Sequence, residues 1–181
     1  MRTEFDFTNN NYKKERTWIG NVIYSITKFF ANILIKHMWL YYILNYTWGL
    51  VTTLFGWLVY FFIKLFLNFK ICDEGKFGVC RYLMLGYNWG GLEIGVNFLI
   101  SAGMGDEWTY HVKCHETGHT FQNAIWGPFA IVLIYIPSVV RYWYQTIRSK
   151  HGKLNVEYDC FWAEESATDI GTQFILRGNW H

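Results

Sequence analysis

The stretch His115-Glu116-Thr117-Gly118-His119 has the pattern H-E-x-x-H and lies inside a segment that is predicted to be helical. On a helix, residues four positions apart share a face, so both imidazole rings can reach one metal ion. Glu116 follows the first histidine directly, where its carboxylate can take a proton from a metal-bound water. The stretch therefore predicts two metal ligands, His115 and His119, and a general base, Glu116.

A catalytic zinc ion needs a third protein ligand as well as an open position for water. The strongest acidic cluster downstream of the motif is Glu164-Glu165 on a predicted helix, with Asp169 after it. The Glu164 face of that helix also carries small or short side chains, which let two helices approach closely: Ala167, Thr168 and Gly171. We predict that Glu164 is the third ligand of a Zn2+ ion. Glu165 is the alternative, because Glu165 and Asp169 lie one turn apart and can supply a ligand and a supporting carboxylate.

The helix that carries the motif is predicted to begin at Glu107, with Asp106 as its N-cap, and to end near Ala124. His111 lies one turn before the motif, where it either supports the site from outside or only packs. Cys114 is a poor ligand because it lies about 100° around the helix from His115. The oxyanion of the reaction would need a donor besides the metal, and the candidates are Tyr142, Tyr144, His151 and Tyr158.

The composition favours a membrane protein. Hydrophobic residues make up 52% of the 181 residues and charged residues only 17%, against about 25% charged in an average soluble domain. Aromatic residues reach 21%, and such residues are enriched where protein meets the lipid headgroups. The net charge of +2, without a basic run among the aromatics, argues against nucleic acid as a partner. The predicted partners are a lipid bilayer and a peptide or protein substrate.

An apolar zone, residues 17–69, follows a polar N-terminal segment, residues 1–16. No charged residue occurs from Met38 to Ile63, and about 20 apolar residues suffice to cross a bilayer. We predict a transmembrane helix from Leu40 to Ile63, bent around Asn45 to Gly49. The residues before it have one apolar and one polar face, which predicts an amphipathic helix. That helix lies in the membrane interface, packs on the globular part, or spans beside its neighbour.

The next zone, from residue 70 to about residue 104, predicts a small β-sheet. Ile71-Cys72 and Val79 to Leu85 flank a turn, and Leu92 to Ile100 predicts a further strand. In that strand Glu93, Gly95 and Asn97 alternate with apolar neighbours, which predicts a face exposed to water. The strand is either an edge strand near the cleft, where extended substrate would pair with it, or an ordinary core strand.

The four cysteines are predicted to be free thiols. A disulfide between Cys72 and Cys80 would fit across the turn, but free thiols are favoured because the chain has no dense disulfide framework.

Gly127-Pro128 ends the motif helix, and Pro137-Ser138 restarts a helix after an apolar run. The final helix is predicted to start near Tyr158.

These motifs resemble those of the gluzincins, zinc metallopeptidases with H-E-x-x-H on one helix and a glutamate on a later helix. In membrane-bound gluzincins of the CAAX-protease type the later motif is E-x-x-A-D or E-x-x-A-N. Glu164 and Ala167 match it, whereas Thr168 stands in place of the acid, which leaves Asp169 to take that role one position later. The chain is also similar to small, mostly uncharacterised bacterial membrane proteins with the motifs H-E-x-G-H-T-x-Q, G-P and P-S, here His115 to Gln122, Gly127-Pro128 and Pro137-Ser138.

The predicted fold class is α+β, with N-terminal membrane helices followed by a minimal zincin-like domain of a small β-sheet, the H-E-x-x-H helix and a later Glu-bearing helix. The predicted segments are 1–16, 17–69 and 70–181. The predicted function is that of a membrane-anchored zinc-dependent endopeptidase, which hydrolyses peptide bonds near the bilayer surface with its catalytic domain in the cytoplasm. The alternative is a non-enzymatic membrane interaction protein whose zinc site is structural or vestigial, with four protein ligands that include His111 or Cys114.

Overall fold

The computed structural model of the chain describes residues 17–87, 89–152 and 160–178. Within these ranges the fold is α+β, as predicted, with six α-helices and one four-stranded mixed sheet. The elements are α1 (Trp18–Lys36), α2 (Met38–Tyr46), α3 (Leu50–Phe66), β1 (Ile71–Phe77), β2 (Cys80–Leu85), β3 (Gly91–Ile94), β4 (Asn97–Ser101), α4 (Asp106–Trp126), α5 (Ile136–Lys150) and α6 (Trp162–Gly178). The polar segment 1–16 and the predicted helix start near Tyr158 lie outside the described residues.

The strand order in the sheet is β1-β2-β4-β3. The central pair, β2 and β4, is parallel, and the two outer pairs are antiparallel. The single strand predicted from Leu92 to Ile100 is wrong, because the chain reverses at Gly95 and forms the hairpin of β3 and β4. Gly95 has a φ of +72°, a conformation that a tight two-residue hairpin turn needs and that glycine adopts without strain. β3 lies at the edge of the sheet, in agreement with the edge-strand alternative, whereas β4 lies between β2 and β3 and is buried, in agreement with the core-strand alternative.

The two faces of the sheet pack against different helices. One face contacts α4 through a cluster that includes Tyr82, Phe98 and Val112. The opposite face contacts α3 through a cluster that includes Tyr60 and Leu83. The sheet therefore separates α4, which carries the H-E-x-x-H motif, from α3.

Helices α4 and α6 cross with their backbones in contact. A Cβ atom on Gly118 would overlap the carbonyl group of Ala167, and one on Gly171 would overlap the carbonyl group of Cys114. This crossing confirms the prediction that small residues bring the later helix against the motif helix, and it sets the distance between the side chains on their facing surfaces.

The N-terminal helices contribute to the core around this crossing. Ala31 and Leu34 of α1 and Tyr41 of α2 form a buried cluster with Phe121 of α4 and Phe174 of α6. The Tyr41 hydroxyl also donates a 2.8 Å hydrogen bond to the Thr120 hydroxyl. These contacts show that the first two helices help to hold the motif helix. The predicted boundary between the segments 17–69 and 70–181 stays a prediction.

The predicted membrane span from Leu40 to Ile63 is not one straight helix. It consists of α2 and α3, which meet at 82°, so the predicted bend is present and very sharp. A buried polar cluster stabilises the bend, since Asn123 of α4 donates a 2.7 Å hydrogen bond to Asn45 and accepts one from Thr52. Such groups are costly to bury unless they pair.

One described helix, α1, is long and apolar enough to cross a membrane, and 22% of its apolar stretch is buried. Two bent pairs also qualify if each counts as one span: α2 with α3, and the segments Asp106–Phe129 and Ile131–Lys150, which meet at 117°. The span predicted from the sequence is Leu40 to Ile63 and not α1, because the polar face of α1 is typical of an amphipathic helix, which does not have to cross the membrane.

A large apolar surface is exposed on these helices. The outward residues of α3 are Val51, Leu54, Phe55, Leu58, Phe61, Phe62, Leu65 and Phe66. Helix α5 turns large apolar side chains outward too, while its Arg141 lies over the Phe161 ring at 6.0 Å. Soluble monomers rarely expose contiguous apolar surface on this scale, so the fold agrees with a membrane environment.

All four cysteines are free, as favoured from the sequence. Cys72 is exposed, and Cys80, Cys114 and Cys160 are buried.

Candidate metal centre

Three predicted ligands converge where α4 and α6 cross. Glu164 Oε2 lies 3.1 Å from His115 Nε2 and 3.4 Å from His119 Nε2. The two Nε2 atoms lie 3.1 Å from each other. All three residues are buried, Glu164 almost completely. The structure thus brings together His115 and His119 of α4 with Glu164 of α6, which is 45 or more positions further along the sequence.

The spacing of these atoms fits a metal ion. Ligand atoms about 2.0–2.2 Å from a tetrahedral zinc ion are about 3.3 Å from one another, close to the distances of 3.1 to 3.4 Å found here. The other carboxylate oxygen, Glu164 Oε1, is buried without a hydrogen-bond partner among the described residues. The group can therefore hold a metal ion, and in the protein alone its members form close ion pairs.

Electrostatics agree with a carboxylate at this position. Burial raises the pKa of Glu164, but hydrogen bonds from His115 and His119 outweigh it and hold that pKa below its ordinary value. Glu164 is therefore ionised at neutral pH, which is the form that binds a cation.

Of the two glutamates considered for the third ligand, Glu164 is the one in the group, and Glu165 is not. His111 and Cys114 also lie outside it. The His111 ring centroid is 6.4 Å from that of His115, and the Cys114 side chain belongs to the apolar core between α4 and α6.

Both histidines are oriented through the nitrogen that faces away from the group. His115 Nδ1 lies 2.8 Å from the Thr168 hydroxyl, and His119 Nδ1 lies 2.6 Å from Gln122 Oε1. Gln122 is itself fixed, because its amide nitrogen donates 2.7 Å hydrogen bonds to Ala163 O and Ser166 Oγ. Such contacts set the ring orientation and leave Nε2 for the metal.

The supporting role assigned to Asp169 is wrong. Asp169 instead accepts a hydrogen bond from Tyr24 and lies 3.4 Å from Lys28 Nζ, both on α1. Thr168 takes the contact because it lies four residues after Glu164 and so shares its face, whereas Asp169 lies about 100° further round α6.

Glu116 lies between the ligand group and the edge of the sheet. It is 5% exposed. A Cβ atom on Gly91 would overlap Glu116 Oε1 and would lie 2.7 Å from Val112. The absence of a side chain at Gly91 therefore gives the Glu116 carboxylate its space against β3.

Glu93 is a titratable residue at this site that the sequence placed wrongly. It was expected on a water-exposed face together with Asn97, but the two residues are 6% and 2% exposed. Burial raises the pKa of Glu93 to about 8, although His119 acts in the opposite direction. Alternation cannot tell a polar residue that faces water from one that faces a covering helix, and β3 is covered by α4.

Three of the four residues considered for the oxyanion lie apart from this group. Tyr142 and Tyr144 are exposed on α5, and His151 caps the end of that helix. Tyr158 lies outside the described residues. The N-cap prediction is one residue late, because α4 begins at Asp106 and Gly105 precedes it as the N-cap.

Comparisons with protein-family models, with curated proteins and with solved structures gave no match for this chain. The resemblance to gluzincins, which rests on the motifs quoted above, therefore stays a prediction.

Proposed function

We propose that this protein is a membrane-anchored zinc-dependent endopeptidase that cleaves peptide bonds near the bilayer surface. In this proposal His115, His119 and Glu164 hold the zinc ion. The observation that carries the proposal is the convergence of two imidazole nitrogens and one carboxylate oxygen beside a buried glutamate, Glu116, on the same helix as both histidines.

The donor set supports zinc as the metal. Two imidazoles and one carboxylate are the ligands of many catalytic zinc sites, which keep a fourth position open for water or substrate. The described residues offer three such groups here and not the four of a closed structural site.

The surrounding residues suit peptide hydrolysis. When bound, zinc polarises the substrate carbonyl and lowers the pKa of water to about 7. The Glu116 carboxylate accepts a proton from the attacking water and passes it to the leaving amine. The edge strand β3, against which Glu116 packs, offers backbone groups with which an extended substrate can pair. Thr168 and Gln122 keep the two imidazoles in position through these steps.

The location of the site relative to the bilayer is part of the proposal. The apolar exposed surfaces of α1, α3 and α5 support contact with lipid, and the polar character of α4 around the motif argues against a site at the bilayer centre. We propose that the catalytic region faces the cytoplasm.

The test is the substitution Glu116→Gln in the purified full chain. The amide cannot accept a proton, so the variant should retain zinc but lose cleavage of a peptide library, read by mass spectrometry. Glu107→Gln is the matched control, because Glu107 is an exposed acid on the same helix, and it should cleave like the wild type. Cleavage by the Glu116→Gln variant at the wild-type rate would remove Glu116 as the base.

A membrane interaction protein with a structural zinc site is the second candidate. The burial of all four site residues favours it, since their exposure is between 1% and 7% and a substrate must reach them. A hydroxamate inhibitor separates the two functions, because it needs an open coordination position. Binding to the zinc-loaded protein supports the peptidase, and zinc without inhibitor binding supports the structural site.

A further inference from the structure

A polar row crosses the sheet on the face that packs against α3, opposite the motif helix. Lys76 of β1 pairs with Arg81 of β2, and Arg81 pairs with Asn97 of β4. Residues directly opposite one another in neighbouring strands point to the same face. The three side chains therefore lie side by side at one end of the groove between the sheet and α3.

The row carries positive charge that its surroundings do not balance. Two cations directly opposite each other across a strand pair repel. No ion pair joins Lys76 or Arg81 to any residue in the described ranges. The acidic residue nearest in β1 on that face, Glu74, is paired instead with Lys64 at 2.8 Å. A site with two such cations is complementary to an anion.

Asn97 independently indicates a ligand at the same place. Its side chain is 2% exposed, yet both the amide oxygen and the amide nitrogen lack a hydrogen-bond partner in the part of the chain that the structure describes. Most buried polar side-chain groups in proteins have a partner. A polar ligand group beside Arg81 would supply the missing one.

The shape of the groove indicates a ligand with a polar and an apolar end. A cavity of about 400 Å³ contains the polar row and is lined on its other side by Tyr42, Tyr46 and Trp57. A second cavity, of about 610 Å³, shares Trp57 and Arg81 with the first and continues along α3 past Phe61 and Leu65. Phe61 is 60% and Leu65 is 75% exposed, so this second part of the groove is mostly apolar and open to the outside, and Lys64, which also lines it, is paired with Glu74.

We propose that this groove binds an anionic phospholipid. Its phosphate lies against Lys76 and Arg81, the Asn97 amide hydrogen-bonds the headgroup, and an acyl chain follows Trp57, Phe61 and Leu65 along α3. Free phosphate would use the polar row alone and leave the apolar groove uncovered, so the second cavity favours a lipid. The lipid site lies on the sheet face away from α4. The lipid proposal therefore does not depend on whether the metal centre binds zinc.

The test is native mass spectrometry of the full chain in detergent with added phosphatidylglycerol, phosphatidylcholine or inorganic phosphate. Phosphatidylglycerol should remain bound to the wild type, with weaker binding at higher salt, and phosphatidylcholine should not. Each cation near a lipid phosphate strengthens binding about fivefold, so the double variant Lys76→Gln, Arg81→Gln should bind phosphatidylglycerol about 30-fold more weakly.

The matched control is Lys36→Gln, which removes an exposed cation from the end of α1 and should leave phosphatidylglycerol binding unchanged. Circular dichroism of each variant checks that it is folded, and the single variants Lys76→Gln and Arg81→Gln replace the double variant if it is not. The proposal is overturned if the variants bind phosphatidylglycerol like the wild type, if phosphatidylcholine binds equally well, or if inorganic phosphate binds as tightly as the lipid.

Discussion

At the scale of single residues, Glu93 is buried although the sequence pattern predicts that it faces water. Its pKa of about 8 in the folded protein lies above the ordinary value of 4.5, so the folded state holds a proton that the unfolded chain releases. The stability that this group contributes is complete below about pH 4.5 and is lost as the pH rises to about 8.

We therefore expect the metal-free protein to lose stability between pH 5 and pH 8.5, by on the order of 4 kcal/mol from this group. The substitution Glu93→Gln removes the titration of this group and should make the dependence of stability on pH less steep. Thermal unfolding of both proteins in the presence of a chelator, at several pH values, measures the effect. An equally steep loss of stability in the Glu93→Gln variant would show that another group is responsible.

Gln122 orients one of the metal ligands and is fully buried between α4 and α6, so circular dichroism of its variant checks that the fold is intact. Its side-chain oxygen holds His119 Nδ1, and the loss of such an orienting contact typically weakens metal binding about 10- to 100-fold. We expect that loss of zinc affinity for Gln122→Ala in a competition with a chromophoric chelator. Gln173→Ala is the control, because Gln173 bonds Asn32 on α1 and should leave zinc affinity unchanged.

At the scale of elements, the crossing of α4 and α6 determines whether Glu164 reaches the histidines. A Cβ atom on Gly118 would meet backbone atoms of Ala167, which cannot move without separating the helices. We expect Gly118→Ala to cost about 3 kcal/mol or more in the free energy of unfolding and to lose zinc. Gly86→Ala, where the nearest atom would lie 3.3 Å away, should change neither in denaturant titrations and metal analysis.

The elements also show which parts of the fold were predictable. The pairing of His115 with His119 follows from spacing within one helix, which is local and regular, and the need for a third metal ligand points to the acidic cluster at Glu164. The hairpin at Gly95 depends on one positive φ, and the burial of Glu93 depends on which helix covers β3. Neither is encoded in local periodicity. The contact of Thr168 does not follow from the resemblance to E-x-x-A-D, because that motif favours an acid over a hydroxyl at this position.

At the scale of the whole molecule, the exposed thiol of Cys72 can report the side of the membrane. The other three cysteines are buried, so a membrane-impermeant maleimide should label Cys72 alone in the folded protein. On the proposal that β1 and the metal centre face the cytoplasm, we expect labelling in inside-out vesicles and none in intact cells. Cys72→Ser should abolish the signal, and labelling of intact cells would place this region outside.

The central claim is that His115, His119 and Glu164 together hold a zinc ion. The most direct measurement is the zinc content of the purified wild-type chain and of the matched variants Glu164→Gln and Glu165→Gln. We predict equimolar zinc in the wild type and in Glu165→Gln, and at least about 100-fold weaker zinc binding in Glu164→Gln, because a neutral amide is a poor zinc ligand. Undiminished zinc in Glu164→Gln, or none in the wild type, would contradict the account.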